Sequence, residues 1–124
     1  DDIETYIARA ETVKNAFIIR DSIAVSQCPP GVKNPSLIAA QAADNLLTIR
    51  GISASFVLAQ VDDGVIISGR SLGNINVQLI LEKLGGGGHM TIAGAQLDDI
   101  TIEEARERVI NAVEEYLSEE GESK

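Results

Sequence analysis

A tight turn between two apolar segments limits the fold of this chain more than any other sequence feature. Residues 54–61 and 65–70 are rich in β-favouring side chains, and Asp62, Asp63 and Gly64 separate them. An Asp-Gly pair between two such segments is typical of a β-hairpin, which joins antiparallel strands. A hairpin at this position excludes a purely parallel sheet.

Four other segments have the apolar spacing of amphipathic helices, at residues 2–16, 35–50, 76–84 and 101–117. Asn34 before Pro35 is predicted to cap the second helix, and Thr101 with Glu104 forms a capping box for the last. With short strands at residues 17–19, 23–25 and 92–97, the order of elements predicts an α/β fold. We expect a mixed sheet of about five strands with flanking helices. The length suits one domain, placed at residues 1–120, with a flexible acidic tail at residues 121–124.

Charge and composition exclude several classes of function. Ten Lys and Arg residues against nineteen Asp and Glu residues give a net charge of −9, which repels long polyanions and anionic membranes. A single cysteine, Cys28, excludes an internal disulfide framework, and with a single histidine it excludes zinc bound by Cys and His alone. Because the only methionine is Met90, we expect the chain to be part of a longer protein.

The run from Gly85 to Gly88, followed by His89, is the first candidate for a binding site. Each glycine in a folded chain costs about 0.5–1 kcal/mol relative to alanine, and one would be enough to end the preceding helix. Several successive amides without Cβ atoms can form an anion-binding nest, and a histidine beside it can donate to phosphate. A flexible connector with a structural histidine is the alternative. The run is neither a P-loop nor a dinucleotide fingerprint, because no Gly-Lys-Ser/Thr and no downstream acidic residue follow.

Arg70 is the second candidate, because it ends a segment that is otherwise Val-Ile-Ile. A guanidinium that leaves a buried strand needs an anionic partner, and its planar fork matches phosphate. A salt bridge at the rim of the sheet is the simpler interpretation. The two candidates work together only if the chain folds so that Arg70 lies near the glycines.

The residues around both candidates resemble a known family. Ser-Gly-Arg-Ser at 68–71, Leu-Gly-Gly-Gly-Gly-His at 84–89 and Ala-Gly-Ala at 93–95 are similar to the DHHA1 domain, the C-terminal lobe of DHH-superfamily phosphoesterases. The similarity extends over most of the chain and is greatest to membrane-anchored bacterial enzymes that hydrolyse cyclic di-AMP. One position departs from it: Ile92 stands where many members have alanine.

The resemblance implies a substrate-binding lobe that is inactive alone. Phosphate contacts fall to Arg70, His89 and the backbone of Gly86, Gly87 and Gly88, with Ser71 and Thr91 as weaker candidates. The resemblance places two divalent metals, manganese in most relatives, in a separate DHH lobe of the same chain, so this piece holds neither metal nor catalytic residues. It also implies a cytoplasmic domain without membrane contact of its own, in a parent protein anchored in the plasma membrane.

Two other functions remain open at this point. The same fold could bind short RNA, as in DHH exonucleases and nano-RNA hydrolases, instead of a cyclic or linear dinucleotide. The chain could also be a non-enzymatic interaction module, for example a homodimerisation domain. The sequence does not decide among these.

Overall fold

A six-stranded mixed sheet lies between two layers of helices in the computed structural model, which describes residues 2–122. The helices are α1 (Ile3–Lys14), α2 (Pro35–Leu47), α3 (Val77–Glu82) and α4 (Ile102–Glu122). The strands are β1 (Phe17–Ile19), β2 (Ile23–Gln27), β3 (Ala54–Val61), β4 (Gly64–Ser71), β5 (Gly87–Gly88) and β6 (Ile92–Leu97).

The sheet has the strand order β1-β2-β3-β4-β6-β5, in which only β2 and β3 pair in parallel. The predicted α/β fold with a mixed sheet is confirmed. The sequence indicated about five strands, and the additional one is β5, which consists of two of the glycines. Glycine has a low strand propensity, so only its pairing with β6 makes this segment a strand.

Both faces of the central strands are buried, because each covers a separate cluster of apolar side chains. On β3, Phe56 and Leu58 face α3 and α4, whereas Val57 and Ala59 face α2. The first cluster is continued by Val109 and other residues of α4. This two-sided burial explains why β3 is a continuous apolar run without polar alternation.

At the starts of α2 and α4 the predicted cap residues are in place, but their hydrogen bonds differ from those of the expected motifs. At α4, the Glu104 amide donates to Thr101 Oγ1 at 3.1 Å, so Thr101 caps the helix as predicted. The Thr101 hydroxyl donates to the Glu104 carboxylate at 3.0 Å, whereas in a capping box that carboxylate accepts from the backbone amide of the cap residue. At α2, Asn34 has a left-handed backbone with φ +50° and its side chain accepts no capping bond. Asn34 is therefore the N-cap residue, as predicted, and Pro35 begins the helix, but the side-chain hydrogen bond of a typical cap is not formed.

Helix α4 continues through Glu122 and so passes the predicted domain end at residue 120. The rest of the predicted tail, residues 123–124, lies outside the described residues. Among residues 2–122, no helix is both long enough and apolar enough to cross a bilayer.

Candidate phosphate-binding site

One part of the sheet lacks a helical cover. On the face occupied by α2, that helix packs on β3 and β4, whereas β6 receives its helix, α3, from the opposite side. The β6 side chains on the α2 face therefore stay accessible, as Ile92 and Gln96 show. This open face extends from β4 across β6 to the edge strand β5.

The strand register places both sequence candidates in one row across this open face. Arg70 pairs with Ile92, and the His89 amide donates to the Ile92 carbonyl at 2.6 Å. Residues directly opposite each other in a sheet project to the same face. The backbones of Arg70 and His89 therefore lie on either side of Ile92, two strand spacings apart, about 10 Å. The condition that the sequence left open, Arg70 near the glycines, is met.

Arg70 makes an ion pair with a residue of α2 that leaves some of its N–H donors unused. Its Nε donates to Asp44 Oδ1 at 3.0 Å, and its Nη1 donates to the Gly69 carbonyl at 2.9 Å. The Arg70 side chain is 15% exposed and that of Asp44 is 63% exposed. The guanidinium has five N–H donors, so these two bonds fix its plane and leave others for an anion arriving from solvent.

A row without large side chains lies beside the Arg70–His89 row. Ser68 pairs with Gly94, and Gly94 pairs with Gly87. A Cβ added to Gly87 would meet no atom within 4 Å, so the space above this strand is open. The floor of the open face is thus mostly bare backbone, which a ligand can approach closely.

The amides of the glycine run do not form the converging nest that the sequence predicted. The Gly85 amide donates to Glu82 and the Gly86 amide to Leu81, which is the double bond of a Schellman helix end. The His89 amide bonds across the hairpin. By strand alternation, the amide of Gly88 points to the outer edge of the sheet instead. The expectation of several amides aimed at one anion is wrong because the helix end and the β-ladder use them.

Ser71 and Thr91, the weaker candidates, lie apart from the row. Ser71 is buried, follows Arg70 on the opposite face, and its hydroxyl accepts from the Gly73 amide at 2.9 Å. The Thr91 carbonyl accepts from the Ser71 amide at 3.0 Å. Their observed bonds support the strand end that carries Arg70.

Within residues 2–122, neither a metal site nor a nucleophilic cysteine is supported. No group of three or more His, Cys, Asp or Glu side chains there is arranged to hold a metal ion. Cys28 is buried, and its burial raises the pKa of the thiol, which disfavours the nucleophilic thiolate. These residues do not fit a two-metal centre, so no hydrolytic step is assigned to them.

Two residues of the site were not identified from the sequence as site residues. Asp44 belongs to α2, and its contact with Arg70 depends on α2 packing over β4, which no local pattern predicts. Ile92 was noted as a departure from the family pattern, but its position between Arg70 and His89 follows only from the register of β4, β6 and β5.

Comparison with known proteins identifies the family of this chain. The DHHA1 domain model matches residues 20–119. The chain is 45% identical over 117 residues to the cyclic-di-AMP phosphodiesterase PdeA of Listeria monocytogenes, which covers 94% of this chain and 18% of PdeA. It is also 42% identical over 73 residues to the bifunctional oligoribonuclease and PAP phosphatase NrnA of Thermus thermophilus, covering 59% of this chain and 22% of NrnA.

A solved structure shares the fold at low identity. It is an exopolyphosphatase-related protein from Bacteroides fragilis, with a TM-score of 0.81 and 20% identity, covering 94% of this chain and 36% of that protein. The chain thus spans less than a quarter of either curated relative and about a third of this structure. From the matched model and the relatives, the chain belongs to the DHHA1 domain family.

Proposed function

We propose that this chain is the substrate-binding lobe of a phosphodiesterase that hydrolyses cyclic di-AMP to a linear dinucleotide. The observation that carries the proposal is the placement of Arg70 and His89 in one row on an uncovered sheet face. A sequence identity of 45% to a cyclic-di-AMP phosphodiesterase over most of the chain supports the choice of substrate.

The two side chains supply complementary contacts to a phosphodiester. Arg70 offers a permanent positive charge and N–H donors already oriented by Asp44. His89 is exposed and offers an imidazole that can donate as well. Charge-assisted hydrogen bonds are worth about 1.5–3 kcal/mol each, whereas association costs about 4–15 kcal/mol. We therefore expect weak binding by this chain alone, against the field of its net charge of −9.

Catalysis belongs elsewhere in this proposal. Two divalent metals, manganese by preference, would be held by a DHH lobe and would activate the attacking water. The residues of this chain would bind and orient the dinucleotide. We propose further that the parent protein is anchored in the plasma membrane and that this domain lies in the cytoplasm.

The test is a titration of the ¹⁵N-labelled chain with linear diadenylate, followed by NMR. We expect amide shifts at β5, β6 and the end of β4. Arg70→Ala should weaken binding about 10- to 100-fold, since it removes a charged donor. His89→Ala should weaken binding about 2- to 10-fold, as expected for one hydrogen bond.

A matched control removes a different arginine. Arg106 of α4 donates to Gln27 at 2.6 Å and is partly buried, as Arg70 is, but lies on the other face of the sheet. Arg106→Ala changes the net charge by the same amount as Arg70→Ala and should leave the affinity unchanged. Equal affinities for the wild type, Arg70→Ala and His89→Ala would contradict the proposal.

Short RNA is a second candidate ligand, favoured by the 42% identity to a bifunctional oligoribonuclease. A single-stranded oligonucleotide that contacts many phosphates gives binding with a steep dependence on salt concentration. If a short oligoribonucleotide binds this chain more tightly than diadenylate, and its affinity falls steeply with salt, RNA is the substrate class. A shallow dependence with tighter diadenylate binding favours the dinucleotide.

A further inference from the structure

The large apolar side chains of α1 point away from the protein. Ile3, Tyr6 and Ile7 are 70%, 58% and 47% exposed. The residues of α1 that pack towards α2 and the sheet include Ala8 and the buried Thr12, whose hydroxyl donates to the Ala8 carbonyl at 2.7 Å. A surface helix normally has the opposite orientation, with its large apolar residues in the core. The outer face of α1 therefore has the character of a contact surface for another protein.

A groove runs beside this exposed face, between α1 and the end of α2. Its walls include Tyr6, Ala10 and Val13 of α1 and Ile49, which follows α2 and is 45% exposed. At about 100° per residue, Ile3 and Ile7 form a ridge on the helix surface next to this groove. A ridge beside a groove is self-complementary, because a two-fold rotation brings the ridge of each copy to the groove of the other.

The charges of α1 also suit a second copy that runs antiparallel to the first. Residues 3–14 carry two acidic and two basic side chains, although the whole chain has a net charge of −9. Glu4 lies in the first turn and Lys14 in the last. An antiparallel pair centred between Ile7 and Ala10 places Lys14 of each copy beside the first turn of the other, so opposite charges meet at both ends. Glu4 is 3.8 Å from Lys33, and both side chains are 76% exposed, so Glu4 stays accessible.

Contact through α1 keeps the most acidic surface of each copy away from the other. Residues 102–121 of α4 carry seven glutamates against two arginines. That helix packs on the opposite face of the sheet from α1 and α2. Repulsion between exposed charges is screened over about 8 Å at physiological salt, which is less than the thickness of the helix and sheet layers between them. A second copy can thus approach α1 at a low electrostatic cost.

We propose that this chain forms a homodimer in which α1 packs antiparallel against α1 of a second copy. The ridge of Ile3 and Ile7 of each copy enters the groove beside Tyr6 and Ala10 of the other. The inference is independent of the proposed function, because it uses no residue of the open sheet face. A single pair of helices is a small interface, so the association is weak and depends on protein concentration.

The first experiment measures the mass of the chain by sedimentation equilibrium from about 10 µM to about 1 mM, the range of a small interface. We expect the wild type to shift from monomer to dimer. Ile7→Glu should raise the dissociation constant at least about tenfold, because it places a charge in the apolar contact. A wild type that stays monomeric throughout would overturn the inference, and the outer face of α1 would then meet another part of a longer protein.

A matched control introduces the same charge on another helix. Leu79 of α3 is 45% exposed, as Ile7 is 47% exposed, but α3 packs on the opposite face of the sheet. Leu79→Glu should dimerise as the wild type does. Equal losses in Ile7→Glu and Leu79→Glu would refute a contact through α1. ¹H–¹⁵N spectra verify that each variant is folded.

The second experiment tests the antiparallel orientation. Lys14→Glu should weaken the dimer about 2- to 5-fold, as expected for an exposed ion pair, and adding Glu4→Lys should restore it. Lys14→Glu with Glu107→Lys is the control, because it has the same net charge but changes an exposed residue of α4. This control should stay weak. If both double variants dimerise equally, net charge explains the effect and the antiparallel pairing of Lys14 with Glu4 is wrong.

Discussion

The adjacent glycines Gly86 and Gly87 have opposite spatial requirements. A Cβ at Gly86 would overlap the Gly94 carbonyl oxygen and approach Ala95 Cβ to 2.7 Å, whereas one at Gly87 would meet open space. Neither has the left-handed backbone of Gly85 or Gly88. Position 86 therefore requires glycine because no Cβ fits there. At position 87 a Cβ would fit, and glycine instead leaves the open face without a side chain.

Alanine substitutions should separate these two requirements. Gly86→Ala should destabilise the fold by about 2–3 kcal/mol because backbone atoms must move apart. Gly87→Ala should change the free energy of unfolding by no more than about 0.5 kcal/mol, yet weaken diadenylate binding, because its methyl group projects onto the floor of the site. Urea unfolding measures the first effect and NMR titration the second.

Each variant of this pair is the control for the other. If Gly86→Ala is as stable as the wild type, the close approach of the Gly86 backbone to β6 is wrong. If Gly87→Ala binds diadenylate as tightly as the wild type, the ligand does not use the bare floor.

The side chains that matter here were identifiable from the sequence when their chemistry was distinctive. An arginine ending an apolar strand and a histidine after four glycines stand out by residue type alone. Asp44 does not, because one exposed carboxylate among the many of an acidic chain carries no local signal. Its role depends on the distance to Arg70, which is 26 residues away in sequence.

Helices α3 and α4 are joined by one buried hydroxyl at the start of α3. Tyr116 of α4 is 6% exposed, and its phenolic oxygen accepts from the Asn76 amide at 3.1 Å. The next residue, Val77, donates its amide to Met90 at 2.9 Å, so this helix start also supports the hairpin beside the site.

We expect Tyr116→Phe to destabilise the protein by about 1 kcal/mol, because the partly buried Asn76 amide loses its acceptor. Thermal and urea unfolding measure the loss. Tyr6→Phe is the control, since Tyr6 is 58% exposed on α1 and should change nothing. Equal stabilities for Tyr116→Phe and the wild type would show that this hydrogen bond makes no net contribution.

The sequence predicted those helices and strands in which apolar residues recur at regular spacing. All four helices and the hairpin from β3 to β4 agree with their predicted types. β5 was missed because glycine has no intrinsic preference for a strand, and its two residues are ordered by β6. The predicted nest failed for the same reason, since pairing partners outside the run use its amides.

Distant parts of the chain are also tied together by ion pairs on the surface. Arg20, in the turn from β1 to β2, makes a two-bonded pair with Glu114 of α4, which lies 94 residues later. The hydrogen bond from Arg20, followed by its charge, lowers the pKa of the Glu114 carboxyl. Because the pKa is lower in the folded state, this pair stabilises the fold above the ordinary carboxyl pKa, and the contribution is lost as pH falls through the folded pKa.

Glu114→Gln should therefore be less stable than the wild type at neutral pH, with the difference disappearing as pH falls below the ordinary carboxyl range. The effect should be small, because the pair is exposed and screened by salt. Urea unfolding at a series of pH values measures it. Glu107→Gln, on the exposed surface of the same helix, is the control variant of equal charge change. A Glu114→Gln deficit that persists unchanged at low pH would contradict the assignment to charge.

Periodicity, turn residues and residue chemistry were enough to indicate an α/β fold with a mixed sheet and to single out Arg70 and His89. These are local properties, set within a few residues of each position. Three features of the site depend instead on strand order and on which helix packs on which strand. They are the position of Ile92 between Arg70 and His89, the hydrogen bond of Asp44 to Arg70, and the sheet face that no helix covers. Long-range pairing sets those relations, and in this chain β6 lies between β4 and β5.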